Sequence, residues 1–89
     1  GLLIQVTFEP GDVNPDRRNL TVALSQMEGI NEIKRLEGET LDQIAYEILA
    51  DRDLRADLFS FAKAQGLVMV ELTRAQSNLE EVFRRLTRG

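Results

Sequence analysis

In the segment Leu2 to Glu9, Ile4, Val6 and Phe8 alternate with Gln5, Thr7 and Glu9. This is the two-residue period of a strand with one face buried and the other toward solvent. A chain that opens this way needs a sheet and a layer to cover its apolar side. Its 89 residues, 43% of them apolar, suffice for one domain with one modest core, burying somewhat over about 60% of the surface the unfolded chain exposes.

The rest of the chain alternates helical and extended patterns. Pro10-Gly11-Asp12 breaks the first strand. Asn14 then serves as a helix cap, Pro15 as first helical residue and Asp16 as a first-turn acid. Leu20, Leu24 and Met27 continue at helical spacing to Gly29, a left-handed stop, so the spacing predicts a helix over 15–28. Ile30 to Glu37, closed by Gly38, reads as a second strand. Leu41 to Ala50 fits two descriptions. Ile44, Tyr46 and Ile48 alternate as in a strand, while Leu41, Ile44, Ile48 and Leu49 share a helical face and Thr40-x-x-Gln43 has capping-box form. Asp51 or Asp53 caps the next helix, in which Leu54, Leu58, Phe61, Ala62 and Gln65 recur every three or four residues before Gly66. Leu67 to Leu72 is a nearly unbroken apolar run, expected of a strand near the centre of a sheet. Ser77-Asn78-Leu79-Glu80 is a capping box, and Leu79, Val82, Phe83 and Leu86 form one apolar stripe of the helix it opens. Glu80 and Glu81 near its start and Arg84, Arg85 and Arg88 near its end complement the helix dipole. That stripe either covers its own domain or reaches for a neighbour.

Much chemistry is excluded by what the chain lacks. With neither cysteine nor histidine there is no disulfide framework, no cysteine nucleophile, no serine-histidine triad, and none of the usual ligands of a zinc or copper site. No catalytic, cofactor-binding or metal residue is therefore assigned. Neither Lys34 nor Lys63 follows a glycine-rich loop, so nucleotide is not bound in the phosphate-cradling manner. The carboxylates of Asp51, Asp53 and Asp57 do not match a divalent-cation loop and suit a helix start instead. Arg17-Arg18, Lys34-Arg35 and Arg84-Arg85 read as solvated basic pairs, and Tyr46 as a packed strand residue. A net charge of −4 repels phosphate backbones, so nucleic acid is not an expected partner. No apolar run approaches the roughly 18 residues that span a bilayer, so direct membrane insertion is not expected. The start Gly1-Leu2-Leu3-Ile4, without methionine, reads as a cut from a longer chain.

The tail from Val70 to Thr87 (VELTRAQSNLEEVFRRLT) resembles the end of the ATP-binding subunits of exporter-type ABC transporters. Such subunits close with a strand ending in Glu-Leu, a few polar residues, then Ser-Leu-Glu-Asp-Val-Phe and Leu-Thr. Here Glu71, Leu72, Ser77, Leu79, Glu80, Val82, Phe83 and Leu86 carry the match, Asn78 is inserted after the serine, and Glu81 stands for the aspartate. The segment Tyr46-Glu47-Ile48 through Asp53-Leu54-Arg55, Leu58-Phe59 and Gly66 is similar to what precedes that tail in members linked to bacterial gliding motility and to antibiotic or polysaccharide export. The likeness extends over residues 2–89 and is weakest over 10–18. It implies a strand over 42–49, and with it an α+β, ferredoxin-like βαββαβ sandwich with an added C-terminal helix. The resemblance further implies a non-catalytic accessory or regulatory domain, 1–89, of a bacterial ABC exporter's ATP-binding subunit. ATP and Mg would be held by the upstream ATPase domain of the parent. The partners implied are that ATPase domain, a membrane permease subunit reached through the parent, and a second copy in a homodimer. The location implied is cytoplasmic, peripheral at the inner membrane. The Walker, signature and switch-histidine motifs have no counterpart in this sequence. The competing expectation is a stand-alone small-molecule sensing or protein-interaction module, with Asp51, Asp53 and Arg55 lining its site.

Overall fold

The computed structural model describes residues 1–76. Within them the chain runs β1 (Leu2–Pro10), α1 (Arg17–Ser25), β2 (Ile30–Leu36), β3 (Ile44–Ala50), α2 (Arg55–Ala64) and β4 (Leu67–Gln76). The four strands form one sheet in the order β2-β3-β1-β4, every neighbouring pair antiparallel. This α+β arrangement of four antiparallel strands and two helices is compatible with a ferredoxin-like type of fold. The expected helix from Ser77 lies outside the described residues.

The alternation in β1 explains the layering. Ile4, Val6 and Phe8 point to one side of the sheet, where they join Ile44, Tyr46 and Ile48 of β3 in a single buried cluster. Leu20 and Leu24 of α1 and Leu58 and Ala62 of α2 complete that cluster, so both helices cover the same face. Phe8 sits at its centre, its ring 6.4 Å from Tyr46 in an edge-on contact and 6.2 Å from Phe61, spacings at which aromatic quadrupoles attract. The strand reading of 42–49 holds over Ile44–Ala50. The capping-box residues before it do a related task without a helix. Gln43 N donates to Thr40 O, Gln43 Oε1 accepts from Glu39 N–H at 2.8 Å, and Gln43 Nε2 donates to Glu9, which pins the β2–β3 turn to the end of β1.

The structure corrects several expectations. Helix α1 starts after Asp16, whose carboxylate accepts from the N–H groups of Arg18 and Asn19. Asp16, not Asn14, is the cap, because it is placed two and three residues before the orphan amides. The helix also stops at Ser25, and Gly29, at φ 96°, lies in the turn that leads into β2. Helix α2 has Leu54 at its cap position, with no side-chain cap bond. Strand β4 is an edge strand among the described residues, not a central one, and it continues four residues past Leu72. Its apolar run is not buried on both sides. Leu67 and Met69 face the core while Val68 is 51% exposed, and Val70, 44% exposed, is the extra residue of a bulge opposite Thr7/Phe8. The extension follows from β1, whose residues Leu2 to Gln5 need ladder partners and find them in Thr73 to Gln76. A second bulge, at Asn31, turns both Ile30 and Ile33 toward the core, which is why β2 lacks clean alternation.

Candidate functional site

The two family-motif residues within the described region stand back to back on β4. Leu72 lies opposite Val6 and packs half-buried against the core. Glu71 lies opposite Thr7 on the other face, exposed. Ser77, Leu79, Glu80, Val82, Phe83 and Leu86 lie outside the described residues.

The face of the sheet that carries Glu71 is the one no described helix covers. Cross-strand register arranges it in three rows from edge to edge: Glu32–Leu49–Leu3–Ala75, then Lys34–Glu47–Gln5–Thr73, then Leu36–Ala45–Thr7–Glu71. The first row is apolar across three strands. Leu3 is only 8% exposed there. The second row is polar and joined by a 3.3 Å hydrogen bond from Gln5 Nε2 to Glu47. The third row opens into a hollow of about 190 Å³ that also takes in Glu37, Gly38 and Glu39 of the β2–β3 turn. That turn is fastened to α1 by Arg17 Nη2, which donates to the Leu41 carbonyl, and it presents the Leu41 side chain 93% exposed. The three rows hold Glu32, Glu47 and Glu71 against one cation, Lys34, so the face is acidic.

Two of the three expected sensing residues, Asp53 and Arg55, form a structural clamp with Arg74. Asp53 accepts the Arg55 N–H at 3.1 Å and pairs with the Arg55 guanidinium at 2.9 Å and with Arg74 of β4 at 3.3 Å. The Arg55 guanidinium first, and its backbone N–H second, hold the Asp53 carboxyl below the usual aspartate range. The clamp ties the start of α2 to the far end of β4. Asp51 points elsewhere and pairs with Arg52 at 3.2 Å. Asp51, Asp53 and Arg55 are thus not gathered around one cavity, and Asp53 and Arg55 already satisfy each other.

Tyr46 is wholly buried, as its place in the strand pattern predicts. Its hydroxyl lies 2.8 Å from Thr21 Oγ1, which donates its only proton to the Arg17 carbonyl at 2.9 Å. Tyr46 is therefore the donor to Thr21. Among the described residues no three His, Cys, Asp or Glu side chains are grouped to hold a metal ion, and no helix is long and apolar enough to cross a membrane. No family model matches the sequence, and neither does any curated protein.

Sequence reasoning missed the row Leu49–Leu3–Ala75. Its signal was present in the parity of β1, which sends Leu3 away from Ile4, but the partners of Leu3 depend on strand register, which no local pattern encodes.

Proposed function

We propose that residues 1–89 are the non-catalytic C-terminal accessory domain of the ATP-binding subunit of a bacterial ABC exporter, positioning or regulating the nucleotide-binding domains that drive transport. The observation that carries this reading is the motif from Glu71-Leu72 through Ser77, Leu79, Glu80, Val82 and Phe83 to Leu86-Thr87, which begins within the last strand of a βαββαβ succession. On this reading the domain is a ferredoxin-like sandwich with an added C-terminal helix. ATP and Mg belong to the domain upstream, and contact with the permease is made through the parent subunit at the inner membrane. The acidic sheet face that no described helix covers and the exposed β2–β3 turn are the surfaces, among the described residues, suited to such a positioning role. A sensing module built on Asp51, Asp53 and Arg55 has less support, since the clamp leaves Asp53 and Arg55 engaged with each other.

The test is made on the parent subunit. Removing the segment that corresponds to residues 1–89 should leave ATP binding intact and lower export or its coupling to hydrolysis. Export at the unaltered rate by the shortened subunit would count against the proposal.

A further inference from the structure

Strand β2 lies at an edge of the sheet, and β3 is the one described strand beside it. In an antiparallel ladder alternate residues aim their N–H and C=O groups at one neighbour, and the residues between them aim at the other. β2 therefore presents a row of donors and acceptors that no described strand takes up, the kind of edge to which another chain can add. Its regular part runs from Glu32 to Leu36, which pair in unbroken register with Leu49 to Ala45. Glu32 and Lys34 fall on the acidic sheet face, both exposed and without an ion pair among the described residues. Ile33 and Arg35 fall on the helix-covered face, opposite Ile48 and Tyr46, with Ile33 half-buried at the margin of the core.

The charges along this edge complement their own reversal. Two copies joined edge to edge are related by a twofold axis perpendicular to the sheet, which reverses the strand and keeps every side chain on its own face. An axis at Glu32, Lys34 or Arg35 sets that charge against its own copy, which is destabilising. An axis at Leu36, the last residue of β2, carries half of the ladder into the turn. An axis at Ile33 sets Glu32 opposite Lys34 of the second copy and Lys34 opposite its Glu32. That register gives two opposite-charge pairs on one face and brings the two Ile33 side chains together on the other. The bulge at Asn31 limits the ladder beyond them, so the contact is short and the dimer is a weak one that forms at high protein concentration.

We propose that two copies of this chain pair through β2 in antiparallel register about Ile33, held by two Glu32–Lys34 cross-strand pairs and the Ile33–Ile33 contact. The two four-stranded sheets become one, with the helices of both copies on the same side. The pairing is a property of β2 itself and holds whatever parent the chain belongs to.

Sedimentation equilibrium of the intact 89-residue chain should show a monomer–dimer equilibrium at concentrations up to about 1 mM. Glu32→Lys and Lys34→Glu, each alone, place like charges at both cross-strand pairs and should leave the chain monomeric over that range. Mixed in equal amounts, the two variants should dimerise with each other, because each then meets opposite charge at both pairs. The double variant Glu32→Lys/Lys34→Glu should associate with itself again. Both positions are exposed, and an unchanged circular dichroism spectrum and thermal midpoint show that each variant is folded. In the unaltered chain, NMR cross-relaxation filtered between labelled and unlabelled copies should join Ile33 to Ile33 and Glu32 to Lys34, a measurement that needs no variant. A monomer throughout the range, a dimer that either single reversal leaves intact, or a mixture of the two variants that stays monomeric would overturn the proposal. Contacts between chains at β4 instead of β2 would do the same.

Discussion

The buried hydroxyl of Tyr46 allows a prediction whose sign and asymmetry both follow from the direction of one hydrogen bond. Thr21 spends its single proton on the Arg17 carbonyl, so Tyr46 must donate to Thr21 Oγ1 across 2.8 Å. Replacing Thr21 by Val keeps the shape but leaves the Tyr46 O–H without an acceptor in a residue that is 0% exposed. The desolvation penalty of an orphaned buried donor is about 1–3 kcal/mol. Replacing Tyr46 by Phe removes the donor instead. Thr21 keeps its bond to Arg17 and is half-buried, within reach of water, so the loss should be the net value of one hydrogen bond, about 0.5–1.5 kcal/mol. The double variant removes both groups and leaves no orphan, so it should cost less than the sum of the two, with a coupling of at least about 0.5 kcal/mol. Urea unfolding followed by circular dichroism measures all four corners of the cycle. Unchanged slopes would show that the denatured state is not responsible. In a domain of this size each kcal/mol also lowers the thermal midpoint by about 4–8 °C. Tyr46→Phe costing more than Thr21→Val, or the two effects adding exactly, would refute the assigned direction of the bond.

Other expectations follow from the same structure. The depressed Asp53 carboxyl stabilises the fold above the ordinary aspartate pKa of about 3.9, and that contribution is lost as pH falls through the lower value it has in the folded state. Asp53→Asn should therefore flatten the acid limb of a stability-versus-pH curve, and salt should shrink the difference because the pair is partly exposed; an unchanged acid limb would remove the clamp. Leu58→Ala should cost about 2–5 kcal/mol, because Leu58 is fully buried between helix and sheet. Phe59→Ala, one residue on and 55% exposed, should cost under about 1 kcal/mol, mostly through its contact with Lys63; equal losses on chemical denaturation would mean α2 is rotated from the described orientation. Gly66, at φ 72°, closes α2, and a Cβ there would meet only Val13 in ordinary van der Waals contact at 3.5 Å. Gly66→Ala should thus cost only the left-handed strain, about 1–2 kcal/mol, and a neutral result by calorimetry would contradict the assigned turn.

How far the sequence could be read depended on whether the determining contacts were local. Leu20, Leu24, Leu54, Leu58 and Ala62 announced the two helix faces because helical spacing is a local property, and all are in the core. The inward set of β1 was equally plain. β2 was harder, since the bulge at Asn31 breaks the period that defines a strand. The segment Leu41 to Ala50 could not be decided from periodicity. Its strand state is set by pairing with β1 on one side and β2 on the other, contacts tens of residues distant. Edge and centre were confused for β4 for the same reason, as an apolar run reports burial propensity and not the number of neighbours a strand has. Asp53 and Arg55 were legible as charges near a helix start, but not as a clamp, because Arg74 arrives from β4 and pairs with a loop 21 positions earlier.

The reading as an ABC exporter's accessory domain is tested most directly by the coding sequence immediately upstream of Gly1 in the source gene. The account predicts a P-loop, a signature motif and a switch histidine there, in frame with this domain. A start codon directly before Leu2, or an unrelated domain upstream, would contradict it.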